Sequence, residues 1–171
     1  GPVSGVLAVT EPTVLTGSAS VTTPIACNGG TATVTLVAGG GAAPYSYTFN
    51  GVTNGTGVFP GISAGVAYNW SITDAASCGP VTGTLSVFQP PLLTGSASVT
   101  TPITCNGGTA TVTLVAAGGT APYSYTFNGV TNGTGVFAGI SAGAAYNWSI
   151  TDAGSCGPVT GILAVTQPAV L

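Results

Sequence analysis

The chain has 171 residues and a formal net charge of −3, and it contains no Lys, Arg or His. This composition argues against nucleic-acid binding, because neutralising phosphates requires cationic side chains. The usual general bases, imidazole metal ligands and Schiff-base lysines are missing too, so we expect no enzyme, no cofactor and no metal site.

Hydrophobic residues make up 44% of the chain, yet Thr, Gly, Asn and Pro interrupt every apolar stretch. We therefore expect no membrane-spanning helix. The many Val, Thr and Tyr residues also argue against disorder. Because few charges keep the chain dispersed, either something else hydrates its surface or it assembles. The chain begins with Gly, so we interpret it as a mature or excerpted piece of a longer precursor.

The sequence is an internal repeat. Residues 16–93 and 94–171 align without a gap and differ at 11 of 78 positions. Residues 1–15 match the last 15 residues of each repeat. We predict two structural units, 16–93 and 94–171, preceded by a terminal strand, 1–15, that belongs to a previous repeat or is donated to a neighbour.

Within one repeat, short segments separated by turn signals predict strands. The clearest are Leu15–Thr23, Thr31–Val37, a Tyr/Phe segment at 45–49, Ala67–Thr73 and Val81–Val87. Asn50-Gly51 predicts a type I′ hairpin turn, and Asn54-Gly55 repeats the signal, so the pieces between them should be short edge strands. Alternation places Ala32, Val34 and Leu36 on one face.

Alternation also places large aromatic side chains on one face of their strands, which favours the core over exposed binding positions. These side chains are Tyr45, Tyr47, Phe49, Tyr68 and Trp70. About seven strands in 78 residues indicate an all-β fold of tandem immunoglobulin-like β-sandwiches forming an extended rod or fibre. A β-solenoid is the second possibility, but it needs a finer internal period than the sequence contains.

Each repeat carries two cysteines 51 residues apart, and this identical spacing predicts one bridge per repeat, Cys27–Cys78 and Cys105–Cys156. Such bridges place the protein outside the cytoplasm, at the cell surface or in the extracellular space. Free buried thiols are the alternative. Zinc is disfavoured because no CxxC motif and no His are present.

Four asparagines stand in N-glycosylation sequons: Asn54, Asn69, Asn132 and Asn147. The first of each repeat, at 54 and 132, falls in a predicted turn, and the second, at 69 and 147, falls on the solvent face of a strand. Both places suit a glycan. Short Thr-containing sequons also arise by chance in a Thr-rich chain, and O-linked sugar on Thr and Ser is an equal possibility. For Asn50 and Asn128 we expect turn geometry alone.

The two aspartates, Asp74 and Asp152, follow the Trp-containing strand in the sequence Thr-Asp-Ala. A weak calcium site and a turn aspartate are both conceivable. Calcium needs six to eight oxygens, usually from several carboxylates, so we favour a turn aspartate that bonds nearby backbone.

The order of short motifs in each repeat resembles the SprB-type repeat of large surface adhesins of gliding Bacteroidota. The matching segments in the first repeat are Cys27-Asn28-Gly29, Pro44-Tyr45-Ser46-Tyr47, Ala64-Gly65, Tyr68, Thr73-Asp74-Ala75, Cys78 and Gln89-Pro90. The second repeat matches at Cys105, Pro122-Tyr123-Ser124-Tyr125, Tyr146, Asp152 and Cys156. A Trp that typically follows the Pro-Tyr-x-Tyr step is replaced nearby by Phe49 and Phe127. The resemblance implies an extracellular, repetitive, Ig-like surface protein and supplies no catalytic residues.

Together these patterns predict a structural subunit of an extracellular, glycosylated fibril or surface stalk. The Pro-containing link at 89–93 is short and stiff. The partners we expect are covalent glycans and neighbouring copies joined head to tail by strand addition through residues 1–15. The equal alternative is that the chain is a window of a longer array, in which residues 1–15 belong to the preceding unit. Both give an extended fibre. The alternative function is a carbohydrate- or surface-binding adhesin module.

Overall fold

The fold follows the alternation of the sequence closely. The computed structural model describes residues 1–7 and 9–170; Ala8 in the predicted terminal strand and Leu171 at the end of the second repeat lie outside the described residues. The described residues form fourteen strands and no helix, seven strands in each repeat. The strands of the first repeat are β1 (Thr16–Thr23), β2 (Ala32–Gly39), β3 (Ser46–Phe49), β4 (Val52–Asn54), β5 (Val58–Ile62), β6 (Gly65–Thr73) and β7 (Val81–Val87). Those of the second are β8 (Thr94–Thr101), β9 (Ala110–Ala117), β10 (Ser124–Phe127), β11 (Val130–Asn132), β12 (Val136–Ile140), β13 (Gly143–Thr151) and β14 (Val159–Val165).

Each repeat builds two antiparallel sheets. In the first repeat a three-stranded sheet has the order β1-β2-β5 and a four-stranded sheet the order β4-β3-β6-β7, and the second repeat has the same orders. The chain crosses between the sheets after β2, β4 and β5. This all-β, tandem Ig-like sandwich confirms the predicted fold class.

The predicted hairpin is present between β3 and β4. Asn50 and Gly51 both have positive φ, 48° and 81°, as a type I′ turn requires. The pairing Phe49↔Val52 closes the hairpin. β5 was not singled out from the sequence, and a register irregularity in its pairing with β2 interrupts its alternation.

The core lies between the two sheets of each repeat. Val34 and Ile72 have no exposed surface and Phe49 has 1%. The Phe49 ring lies 5.7 Å from that of Phe59 and 5.5 Å from that of Tyr68. The predicted inward face of β2 is confirmed, whereas the tyrosines and Trp70 are only half-buried.

The chain forms two compact units that are offset from the sequence repeats. Unit 1 contains residues 1–24 and 31–88; unit 2 contains residues 25–30 and 89–171. The segment Ile25–Gly30 therefore belongs to the first repeat in sequence and to the second unit in structure.

The described residues before β1 form no strand, although they share the sequence pattern of β7 and β14. Each four-stranded sheet already contains its own last strand, so neither repeat needs residues 1–15 to complete it. Val3 and Val6 are fully exposed. No helix in the described part of the chain has the length and hydrophobicity needed to cross a bilayer.

Candidate functional site

The four cysteines lie on two kinds of element. Two stand in Ile25–Gly30 and its equivalent Ile103–Gly108, which we call the cysteine loops. The other two stand in Asp74–Gly79 and Asp152–Gly157, which follow β6 and β13 and which we call the cysteine turns.

The structure joins Cys27 to Cys156, with a Cα–Cα distance of 5.4 Å. Cys78 and Cys105 are free and exposed. The pairings predicted from the 51-residue spacing, Cys27–Cys78 and Cys105–Cys156, are therefore wrong, although the expected disulfide chemistry is present. The bonded partners are separated by 129 residues, which is the expected spacing plus one 78-residue repeat.

Hydrogen bonds explain why the first cysteine loop takes this position. Asn28 Nδ2 donates to Pro90 O at 3.1 Å, and Gly29 N–H donates to Gln89 Oε1 at 2.8 Å. Gly30 N–H closes the loop on Cys27 O at 2.9 Å. The Gln-Pro link between the repeats thus anchors the loop within unit 2, where Cys156 lies.

The cysteine turns are held by the buried aspartates, as predicted for turn residues. Asp152 Oδ1 accepts from Cys156 N–H and Oδ2 accepts from Thr120 N–H, both at 2.8 Å. Asp74 makes the same two bonds with Cys78 and Ala42, both at 2.9 Å. These backbone donors lower the pKa of both carboxyls, the Ala42 N–H contributing most at Asp74 and the Cys156 N–H most at Asp152, while burial opposes the shift. The carboxylates are thus engaged in fixing the turns.

The two sequons of each repeat have different surroundings. Asn54 is half-buried: its Oδ1 accepts from Thr56 N–H at 3.0 Å and Gly57 N–H at 2.7 Å, and its Nδ2 donates to Val58 O at 2.9 Å. Asn132 repeats these bonds. Asn69 and Asn147 are exposed on β6 and β13. The second sequon of each repeat is therefore the more accessible to a modifying enzyme.

An open hollow accompanies each exposed sequon. In the second repeat it measures about 580 Å³, and its lining includes Asn147, Trp148, Thr126 and Thr160. In the first repeat it measures about 390 Å³ and is lined by the equivalent Asn69 and Trp70, among others. A half-buried indole beside hydroxyl and amide groups is a surface to which a sugar could bind.

The Trp ring is only half-buried because it lies over a glycine on an edge strand. A Cβ built on Gly83 would come within 2.5 Å of Trp70 Cζ2, so only glycine leaves room for the ring there. Since Trp70 pairs with Gly83 of β7, the outermost strand of its sheet, one side of the ring has no neighbouring strand to cover it.

Two residues at the junction between the bonded cysteine loop and its cysteine turn have roles that sequence reasoning did not identify: Gln89, which accepts a hydrogen bond from the loop, and Gly154. A Cβ at Gly154 would lie 2.7 Å from Ala26 O and 2.9 Å from Cys156 Sγ, so a larger residue there would require these atoms to shift. The first repeat has Ala76 at the equivalent position. The available signal was that this position, two residues before a cysteine, is one of the few at which the repeats differ.

Comparison with known families gives a specific result. The family model described as SprB repeat matches residues 19–54 and residues 97–132, one match in each repeat. This confirms the resemblance inferred from the sequence: one segment in each repeat matches the SprB repeat family. SprB repeats belong to surface adhesins and are not an enzyme family, which points to a surface repeat module.

Among curated proteins, no sequence matches the chain. Among solved structures, one similar chain comprises three N-terminal domains of the bacteriophage RB49 Highly Immunogenic Outer Capsid protein (Hoc). It has a TM-score of 0.49 and 11% sequence identity, and the match covers 91% of this chain. This chain spans 59% of the length of that one.

Proposed function

We propose that this chain, with its two SprB-type repeats, is a structural segment of an extracellular fibre or surface stalk, built from glycosylated, disulfide-tied β-sandwiches. The observation that carries the proposal is the Cys27–Cys156 bond. A loop that belongs to one sequence repeat is covalently tied inside the next structural unit. Such a bond strengthens the succession of repeats, which is what a load-bearing element needs, and disulfides persist outside the cytoplasm.

The disposition of polar groups supports a structural function. The chain has three acidic side chains. Two of them, Asp74 and Asp152, accept hydrogen bonds from backbone N–H groups of the cysteine turns and of the loops beside them. The adhesin family to which SprB repeats belong is consistent with this interpretation. The chemistry visible in the chain thus serves to fix loops and turns.

Covalent sugar is the second part of the proposal. The surface has almost no charge to hydrate it, and glycans would supply that hydration. The exposed Asn69 and Asn147 are the preferred N-linked sites, because their side chains have no structural task in the described hydrogen-bond network. Glycans at Asn54 and Asn132 would have to coexist with the turn bonds of those amides.

Intact-mass measurement of native material, before and after deglycosylation and reduction, tests the proposal. We expect a mass above that of the bare polypeptide that falls on deglycosylation, and Asn69→Gln with Asn147→Gln should remove most N-linked sugar. The matched pair Asn54→Gln with Asn132→Gln should leave the sugar mass nearly unchanged. A mass equal to that of the bare chain would refute the proposal of covalent sugar. Compact isolated particles in electron microscopy would refute the proposal of a fibre.

A carbohydrate- or surface-binding module is the second candidate, favoured by the hollows beside Trp70 and Trp148. A glycan array probed with the purified two-repeat chain tests it. Specific binding that is lost in Trp148→Ala and kept in a variant of an exposed aliphatic residue, Val115→Ala, would favour the module over the purely structural function. Absence of binding on the array would leave the structural function as the better account.

A further inference from the structure

The two free cysteines are the counterparts, in the other repeat, of the two cysteines that form the disulfide. At an offset of 78 residues, Cys105 corresponds to Cys27 and Cys78 corresponds to Cys156. The bonded pair is half-buried and the free pair is exposed. The chain therefore presents one unpaired cysteine loop and one unpaired cysteine turn.

The unpaired loop already has the conformation of the bonded one. Asn106 Nδ2 donates to Pro168 O at 3.0 Å and Gly107 N–H donates to Gln167 Oε1 at 2.9 Å. Gly108 N–H closes the loop on Cys105 O at 3.0 Å. These bonds repeat those of the loop at Cys27, so little ordering entropy opposes docking of the Cys105 loop.

The unpaired turn is preformed as well. Asp74 holds Cys78 as Asp152 holds Cys156, and Ser77 has a φ of 57° against 58° at Ser155. The backbone therefore enters Cys78 and Cys156 with the same conformation.

A hollow of about 390 Å³ adjoins Cys78 and is lined by Leu15, Gly79 and Val81. Its counterpart at Cys156 is lined by the equivalent Leu93, Gly157 and Val159, together with Cys27 and Asn28 of the docked loop. The hollow at Cys78 is therefore the equivalent of the site at Cys156, but with no cysteine loop docked in it.

The unfilled hollow also contains groups that suit a cysteine loop. Glu11 and Pro12 line it, at the sequence positions that correspond to Gln89 and Pro90. Gln89 and Pro90 accept hydrogen bonds from the bonded loop. A Glu carboxylate and a Pro carbonyl can accept the same two bonds, so an incoming loop could exchange its own Gln167 and Pro168 for Glu11 and Pro12.

From these complementary halves we infer that Cys105 of one copy of this chain forms a disulfide with Cys78 of a second copy, joining copies head to tail. The inference rests on the proposed function, since it extends the bond seen within one chain to the next copy in a fibre. After one such bond the joined pair still has one unpaired cysteine turn and one unpaired cysteine loop, so the joining can continue. Such a heterologous contact produces rings or open filaments, whereas an isologous contact produces closed dimers.

The bond requires an oxidant, for which a low-molecular-weight disulfide such as glutathione disulfide suffices. The Cys105 thiolate attacks this disulfide, forms a mixed disulfide and releases one glutathione thiolate. The Cys78 thiolate then attacks the Cys105 sulfur and releases the second glutathione. The two cysteine thiols lose two protons and two electrons, and the glutathione disulfide is reduced to two thiols.

One residue modulates the fit. At the bonded junction Gly154 leaves room for Ala26 O, whereas the receiving turn in the second copy has Ala76. The incoming Thr104 carbonyl, equivalent to that of Ala26, must shift to avoid the Ala76 methyl. Joining between copies should therefore be slower than closure of the Cys27–Cys156 bond, and Ala76→Gly should accelerate it several-fold.

Two single variants test the inference. Cys78→Ser leaves only the loop thiol free, and Cys105→Ser leaves only the turn thiol free, while Cys27–Cys156 is intact in both and is verified by mass. Each variant is incubated alone and in an equimolar mixture, in a glutathione redox buffer. Products are separated on non-reducing gels, and the linking peptides are identified after chymotrypsin digestion, because the chain has no Lys or Arg for trypsin.

We expect the mixture to give a heterodimer linked Cys105–Cys78, about tenfold or more above either homodimer, because docking raises the effective concentration of the correct pair. Undirected oxidation would give a heterodimer only about twice as abundant as each homodimer, the statistical ratio for a weak encounter. The unsubstituted chain should give a ladder that collapses to monomer on reduction, and Ala76→Gly in the Cys105→Ser chain should raise the rate of heterodimer formation.

A statistical product ratio, an absence of dimers from folded variants, or an intramolecular Cys78–Cys105 bond in the unsubstituted chain would each overturn the inference. The assay needs neither glycans nor a cell surface, so it fails independently of the proposed function. If native material forms extended fibres that lack the Cys105–Cys78 bond, the inferred bond is refuted and the proposed fibre stands. If the variants couple as expected but native material is a compact monomer, the proposed fibre is refuted.

Discussion

Replacing Cys27 by Ser should destabilise unit 2 strongly and leave unit 1 nearly unchanged. Cys27 and Cys156 both lie in unit 2 and are 129 residues apart. On the chain-entropy account, opening a loop of that length costs about 5 kcal/mol, or about 4 kcal/mol if unit 1 stays folded and shortens the flexible part of the loop. In guanidinium, with an m-value of about 2 kcal/mol/M, 4 kcal/mol lowers the unfolding midpoint by about 2 M.

The chain provides a separate optical probe for each unit. Trp70 lies in unit 1 and Trp148 in unit 2, and they are the only tryptophans. Trp148→Phe leaves a reporter of unit 1, and Trp70→Phe leaves a reporter of unit 2. In the Cys27→Ser background, the Trp148 fluorescence transition should move to lower guanidinium concentration while the Trp70 transition stays in place.

Cys78→Ser is the matched control for this prediction, because Cys78 is free and exposed. Its substitution in freshly purified monomer should change neither transition by more than about 0.5 kcal/mol. A loss of about 4 kcal/mol from unit 1 in Cys78→Ser would refute the reasoning, since the bridge would then join Cys27 to Cys78 within one repeat.

Two further predictions concern the turns. The pKa of Asp74 and Asp152 is lowered in the folded chain, so the stability that their hydrogen bonds provide should be complete above about pH 5 and should be lost as the pH falls below about 4 and through the lowered pKa. Melting temperatures measured between pH 2 and pH 7 should show this decline, and Asp74→Asn with Asp152→Asn should flatten it; an unchanged decline in that variant would assign it to other groups. Gly51→Ala should cost about 1–2 kcal/mol because φ is +81° there, although nothing lies within 4 Å of the added methyl. Gly55→Ala, which is equally open but not in the left-handed region, should be neutral in the same denaturation assay, and equal effects at both glycines would contradict the assignment of the cost to backbone conformation.

Most of the fold could be predicted from local patterns. Alternation over Ala32, Val34 and Leu36 assigned the inner face of β2, and all three side chains are buried. Asn50-Gly51 located the hairpin, since a type I′ turn requires positive φ at both residues. These features depend on neighbours close in sequence, and a single repeat contains all the information they need.

The degree of burial was harder to predict than its direction. Trp70 alternates with Asn69 and Ser71 and was assigned to the core, yet it is half-buried. Its exposure depends on β7 being the outermost strand of the sheet and on Gly83 opposite the ring. Strand order is a property of the assembled sheet, and alternation within one strand does not encode it.

The cysteine pairing could not be obtained from spacing, for a reason inherent in tandem repeats. When a sequence is copied at a period of 78 residues, a bond within one repeat and a bond to the equivalent residue of the next repeat leave the same pattern of cysteines. Only the path of the loop decides between them, and that path depends on Gln89 and Pro90 in the link. The even cysteine count thus correctly predicted disulfide chemistry but not its partners.

The offset between sequence repeats and structural units changes what a minimal stable piece should contain. A segment cut at the sequence boundaries, 16–93, contains two cysteines and no disulfide. Cys27 bonds Cys156, which lies outside the segment, and Cys78 is free. Unit 2 with its bridge requires the loop 25–30 from the preceding repeat. Its stability therefore depends on a neighbour in sequence, and each added repeat would supply the loop that ties the next one. In an array built in this way the first unit has no preceding loop to bond its cysteine turn, so it should unfold more readily than the units that follow it.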